Sequence, residues 1–122
     1  MVIVAGRRTP FVRAGEEFRE VPVDVLATSC TRELVDVSGV DASTVSELIL
    51  GCCAQPPDRA NPARVVSLRA GLPTESPAHT VARNCASGMQ AIVSAELRVA
   101  RDENAVILAG GAESMSRIPL LF

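Results

Sequence analysis

The chain has 122 residues, enough for one compact domain with its own core and too few for two. Hydrophobic residues make up 48% and charged residues 21%, the balance of a folded globular protein rather than of a disordered tail. Twelve basic side chains, all arginine, stand against 14 acidic ones, and there is no Trp, no Tyr and only three Phe. That composition argues against nucleic acid as the main partner, because it offers neither clustered positive charge nor a stacking platform.

The apolar run Val2-Ile3-Val4-Ala5 stops at Gly6-Arg7-Arg8, too short for a signal peptide or a membrane span. A cytoplasmic protein with free thiols at Cys30, Cys52, Cys53 and Cys85 is expected. No two cysteines form a C-x-x-C pair and His79 is the only histidine, so a zinc site, or any metal site, is not expected.

In chain order, a strand is expected at Met1 to Ala5, then a loop broken by Pro10, Gly15 and Pro22. A helix fits Val23 to about Val37, with Val23, Leu26, Ala27, Cys30, Leu34 and Val37 on one stripe and Gly39 as its stop. A second strand fits Glu47 to Ala54, and a short helix fits Pro62 to Ala70, ended by Gly71 and Pro73. A third strand at Ala78 to Arg83 leads into Asn84-Cys85 and a helix from about Ala86 to Arg101. The fourth strand is Ala105 to Ala109, running into Gly110-Gly111. Continuous apolar strands alternating with helices predict an α/β fold, layered around a mixed, mostly parallel sheet.

The helix after Cys85 carries no charge from Asn84 to Ala95, and burial over most of its length is expected. A cysteine at its first turn meets unsatisfied N–H groups and the positive end of the dipole, which favour a thiolate. The dipole is a modest effect, so full activation needs a nearby base. Position alone leaves a second reading open, a small buried thiol of no chemical consequence. His79 is a poor candidate for the base, lying six residues of extended strand away, about 20 Å at roughly 3.3 Å per residue. Cys30, Cys52 and Cys53 read as core packing, and a vicinal Cys52–Cys53 disulfide is not expected. Gly110-Gly111 ends a strand, where paired glycines let a ligand or another backbone come close. Glu113, Ser114 and Ser116 could cap the next segment or line a site there.

Five blocks, in order, cover essentially the whole chain: Arg8-Thr9-Pro10-Phe11, Leu48-Ile49-Leu50-Gly51, Asn61-Pro62-Ala63-Arg64, Asn84-Cys85-Ala86-Ser87-Gly88-Met89-Gln90, and Ala109-Gly110-Gly111-Ala112-Glu113-Ser114-Met115-Ser116. Together they resemble the thiolase family, particularly its amino-terminal half. The Asn61–Arg64 block and the long first loop look most like 3-ketoacyl-CoA thiolases of fatty-acid oxidation. The resemblance implies a thiolase-like fold and an acyl-CoA C-acyltransferase, with coenzyme A thioesters as substrates and no metal or separate cofactor. It implies that Cys85 takes up the acyl group as a thioester and that its backbone N–H serves the oxyanion hole.

The chain is roughly a third of the family's length. It lacks the blocks that supply an activating histidine, an asparagine and a second cysteine, along with most of the CoA pocket. Residues 117–122 would enter the family's loop domain, so the expected object is one domain, 1–122, inactive alone. The alternative is a non-catalytic thiolase-fold module that assembles with a partner supplying the missing half. A homo-oligomer, a dimer first, is expected from the uncharged helix and the strand before it.

Overall fold

A computed structural model describes residues 1–118; the expected passage into a further domain lies, from residue 119 onward, outside them. Three of the four expected strands form, β1 (Val45–Gly51), β2 (Ala78–Val81) and β3 (Val106–Gly111), in one parallel sheet of order β2-β1-β3. Helix α1 (Val23–Ser38) precedes β1, α2 (Pro62–Ala70) joins β1 to β2, and α3 (Ser87–Arg101) joins β2 to β3. The β1-to-β2 crossover moves one way across the sheet, and the β2-to-β3 crossover moves back over β1. One uniform hand therefore puts α2 and α3 on opposite faces.

Strand β1 shows the division. Leu48 and Leu50 pack with Ala27 of α1 and Ala63 and Val66 of α2. Ile49, one residue out of phase, packs with Ala91 and Ala95 of α3. Ile49 is 1% exposed, a burial worth about 1.5–3 kcal/mol. Glu47 shares the α3 face and is nearly buried; it accepts from His79 Nδ1 at 2.9 Å and pairs with Arg98 Nε at 3.5 Å. On the other face, the buried Asp24 carboxylate pairs with Arg59 Nε at 3.4 Å and with Arg69, tying α1 to α2.

Helix α2 is bounded by its own chemistry. Asn61 Oδ1 accepts from Arg64 N, and Pro62 occupies the first helical position, where its missing N–H costs nothing. At the other end Gly71 takes the left-handed conformation (φ 83°), its N–H reaching Leu68 O while Leu72 N reaches Ser67 O. The first turn also grips β2. Asn61 Nδ2 donates to Ala78 O at 2.9 Å and Thr80 Oγ1 donates to Asn61 Oδ1 at 2.8 Å. Arg64 donates to Ser76 O at 2.9 Å and Thr74 O at 2.8 Å.

Two expectations are corrected. Met1 to Ala5 forms no strand, and Val2 is 84% exposed. An apolar run becomes a strand only when a neighbour accepts its N–H and C=O groups, and no other strand pairs with it among the described residues. Helix α3 is buried along one stripe only, Ser87, Ala91 and Ala95, while Met89 is 64% and Leu97 62% exposed. The sheet covers one side of α3, and nothing among the described residues covers Met89, Val93 and Leu97.

Candidate active site

The connections leaving β1 and β2 turn to opposite faces, so the carboxyl edge of the sheet opens between them. Cys53 lies on one side of this crevice and Asn84 and Cys85 on the other, with Cys53 Sγ 3.9 Å from Asn84 Oδ1. Cys85 is exposed, two residues before α3 begins.

The strand-to-helix turn that carries Cys85 is sharp. Asn84 takes φ 47°, the left-handed region, where asparagine is better tolerated than most residues. The buried Ser87 hydroxyl braces the turn, accepting from Arg83 N at 2.8 Å and donating to Asn84 O at 2.7 Å. The first turn of α3 has no side-chain cap, so the dipole end beside Cys85 is not met by a protein oxygen from that position.

Two glycines of the sheet let this turn sit directly on it. A Cβ at Gly51 would stand 2.3 Å from Ser87 C and 2.5 Å from Gly88 N, and one at Gly111 would stand 2.9 Å from Gly88 Cα. The close approach expected at Gly110-Gly111 is thus made by another backbone, and it involves Gly111 rather than Gly110.

Glu113 does more than cap a segment. Its carboxylate accepts from Cys53 N and from Ala54 N, the latter at 3.2 Å, and so holds the chain leaving β1 beside the crevice. Residue separations of 59 and 60 leave no local sequence signal for this clamp. Ser114 Oγ instead donates to Val21 O at 2.8 Å, and Ser116 Oγ accepts from Gly15 N at 2.9 Å. Both serines tie the first loop to the chain after β3 and stand apart from Cys85.

His79 lies within β2 with its Nδ1 engaged by Glu47, which bears out its reading as a partly exposed strand residue. Of the other thiols, Cys52 is buried as expected, Cys30 is only half-buried, and Cys53 is exposed, a correction to its reading as core. Strand β1 ends at Gly51, so Cys53 has already left the sheet. Burial raises the Cys30 thiol; a backbone hydrogen bond at Thr9 opposes this and the Glu33 charge adds to it.

Burial, then the Glu113 and Cys53 charges, push the Cys52 thiol up to about 12. The unfolded thiol loses its proton near pH 9 while the folded one keeps it, so folding stability falls as pH rises from about 9 toward 12. Cys52→Ala is expected to flatten this alkaline loss in urea titrations at pH 8 and about pH 10.5. An equal loss in the variant would assign it elsewhere.

A groove of about 680 Å³ lies between the Arg7–Pro10 segment and α1, with Cys30 on its wall and Cys85 outside it. Among the described residues no cluster of three or more His, Cys, Asp or Glu could hold a metal ion, and no helix is long and apolar enough to cross a membrane.

Residues 1–121 match the family described as thiolase, N-terminal domain. The chain belongs to the thiolase family. Relatives called "Probable acetyl-CoA acyltransferase" in Staphylococcus aureus strains MRSA252 and N315 are each 36% identical over 121 residues, 99% of this chain and 31% of theirs. The crystal structure of the Bacillus anthracis acetyl-CoA acetyltransferase superposes with a TM-score of 0.95 at 40% identity, covering 99% of this chain and 31% of that one. This thiolase domain therefore spans about a third of the length of the relatives it matches. The layered α/β architecture with a parallel sheet is that of the thiolase amino-terminal fold.

Proposed function

We propose that this thiolase domain carries the acyl-accepting nucleophile of an acyl-CoA C-acyltransferase, and that the nucleophile is Cys85. The observation that carries the reading is an exposed thiol on a braced left-handed turn at the start of a helix, within a domain of this family. In the forward step Cys85 Sγ attacks the acyl carbonyl carbon, and the tetrahedral oxyanion accepts from the Cys85 backbone N–H. Collapse expels the leaving group and leaves a Cys85 thioester. In degradation the substrate is a 3-ketoacyl-CoA and the leaving group is the acetyl-CoA carbanion. CoA then takes the shortened acyl group from Cys85, and the reverse sequence condenses two acyl-CoA molecules. A cytoplasmic location and a role in fatty-acid metabolism belong to the same reading.

Alkylation at neutral pH followed by peptide mapping tests it. Cys85 is expected to label first among the four thiols in the folded chain. Faster labelling of Cys30, Cys52 or Cys53 would sink the assignment.

The uncovered stripe Met89, Val93 and Leu97 supports a second reading, a non-catalytic module that docks with a partner supplying the rest of the fold. Acyl transfer to Cys85 in that assembly separates the two, because only the first reading requires it. On either reading the chain alone is expected to self-associate, a dimer first. The α3 stripe is apolar, and β2 pairs on one edge only among the described residues. Light scattering at micromolar concentration checks this, and a clean monomer near 12.8 kDa is the contrary result.

A further inference from the structure

Two exposed thiols, Cys53 and Cys85, lie on the neighbouring segments that leave β1 and β2. Strands β1 and β2 run parallel with Gly51 opposite Val81, and Cys52 N still donates to Val81 O at 3.0 Å. One residue further along, Cys53 Sγ donates to Asn84 Oδ1 at 3.9 Å, and the next Cα along the chain, about 3.8 Å on, is that of Cys85. The backbone on each side is anchored, Cys53 by Glu113 and the Cys85 turn by Ser87. Neither other thiol can compete: Cys52 is fully buried, and Cys30 sits on α1, across the sheet from α3.

We propose that Cys53 is the resolving partner of Cys85, the two closing into a reversible disulfide across the β1–β2 crevice when the protein meets a hydroperoxide. The Cys85 thiolate attacks one peroxide oxygen; the O–O bond breaks and the second oxygen leaves as alcohol or water after taking a proton. Cys85 is then a sulfenic acid. Cys53 sulfur attacks that sulfur, the S–O bond breaks, and hydroxide leaves as water with the Cys53 proton. The sulfur pair has lost two electrons and the hydroperoxide has gained them. Closing the bond needs the two Cβ atoms about 3.5–4.5 Å apart, so the Asn84 side chain must swing away from Cys53.

The inference rests on the nucleophile reading in one respect: the disulfide would block acyl transfer at Cys85. The bond itself is read by mass. The 122-residue chain is treated with a small excess of hydrogen peroxide, quenched with alkylating reagent and digested at arginine. The expected product joins fragment 33–59 to fragment 84–98, is split by dithiothreitol, and persists in Cys52→Ala but not in Cys53→Ser. In Cys53→Ser, Cys85 is expected to go on to the sulfinic acid instead. A link that survives Cys53→Ser, a link only between two chains, or Cys85 oxidised while Cys53 stays free overturns the proposal. If Cys85 alkylates first and no link forms, the nucleophile reading stands and this inference fails. If a Cys53–Cys85 link forms without preferential alkylation of Cys85, the disulfide stands and the nucleophile reading fails.

Discussion

Gly51→Ala is expected to destabilise the chain by about 3 kcal/mol or more, at or above the upper end of ordinary overpacking. The added methyl would stand 2.3 Å from Ser87 C and 2.4 Å from Ser87 O. These are backbone atoms at the start of α3, so no rotamer change relieves the contact; the helix must back away from the sheet. That movement uncovers Ile49 from Ala91 and Ala95 and shifts the turn bearing Cys85. Gly110→Ala is the matched control, because its Cβ would meet nothing within 4 Å, and a change within about 0.5 kcal/mol is expected. Urea midpoints at constant slope make the comparison. Equal midpoints for the two variants would mean that α3 does not rest on Gly51 as described.

Acetoacetyl-CoA cleavage by the 122-residue chain is expected to fall below detection. The reaction as proposed would have to remove the Cys85 proton and deliver another to the carbon that departs as a carbanion. Each such transfer by a positioned group is typically worth about 10²–10⁴-fold. His79, the sequence's only histidine, is committed to Glu47 and lies within β2 rather than at the crevice. Neither transfer therefore has a histidine to perform it. Steady-state assays at high protein concentration check this. Turnover by the pure chain that disappears in Cys85→Ala would overturn it.

Much of the scaffold is legible in the sequence because its signals are local. Gly39 and Gly71 mark the ends of α1 and α2, and both take positive φ. Pro62 and Asn61 mark the start of α2 within a residue. Cys85 at the head of an uncharged helix is likewise a local signal, and it is the one on which the proposed site rests. What could not be read depends on partners distant in sequence. Val2-Ile3-Val4 has strand composition, but composition cannot supply a neighbouring strand. The missing charges of α3 signal a need for cover without saying which face receives it. Cys53 looks like the end of an apolar strand, and only Glu113, 60 residues on, shows that the backbone has already left the ladder. The left-handed Asn84 has no pattern to announce it, since asparagine is equally at home in ordinary turns.

The grip of α2 on β2 has a consequence for how this domain can change over time. Strand β2 is only four residues long, Ala78-His79-Thr80-Val81, and none of the four is fully buried, so hydrophobic facing alone would hold its register weakly. Asn61 and Arg64 supply the missing specification by fastening the carbonyls of Thr74, Ser76 and Ala78. They act as a gauge that sets how far the chain has advanced when it reaches residue 85. A slip of two residues would carry the thiol about 6.6 Å along the strand axis. Variation at Asn61 or Arg64 is thus expected to move the thiol from the opposite end of the strand, whereas the stretch between Gly71 and Pro73 is itself fixed, because Leu72 is buried in the core and its N–H reaches Ser67 O.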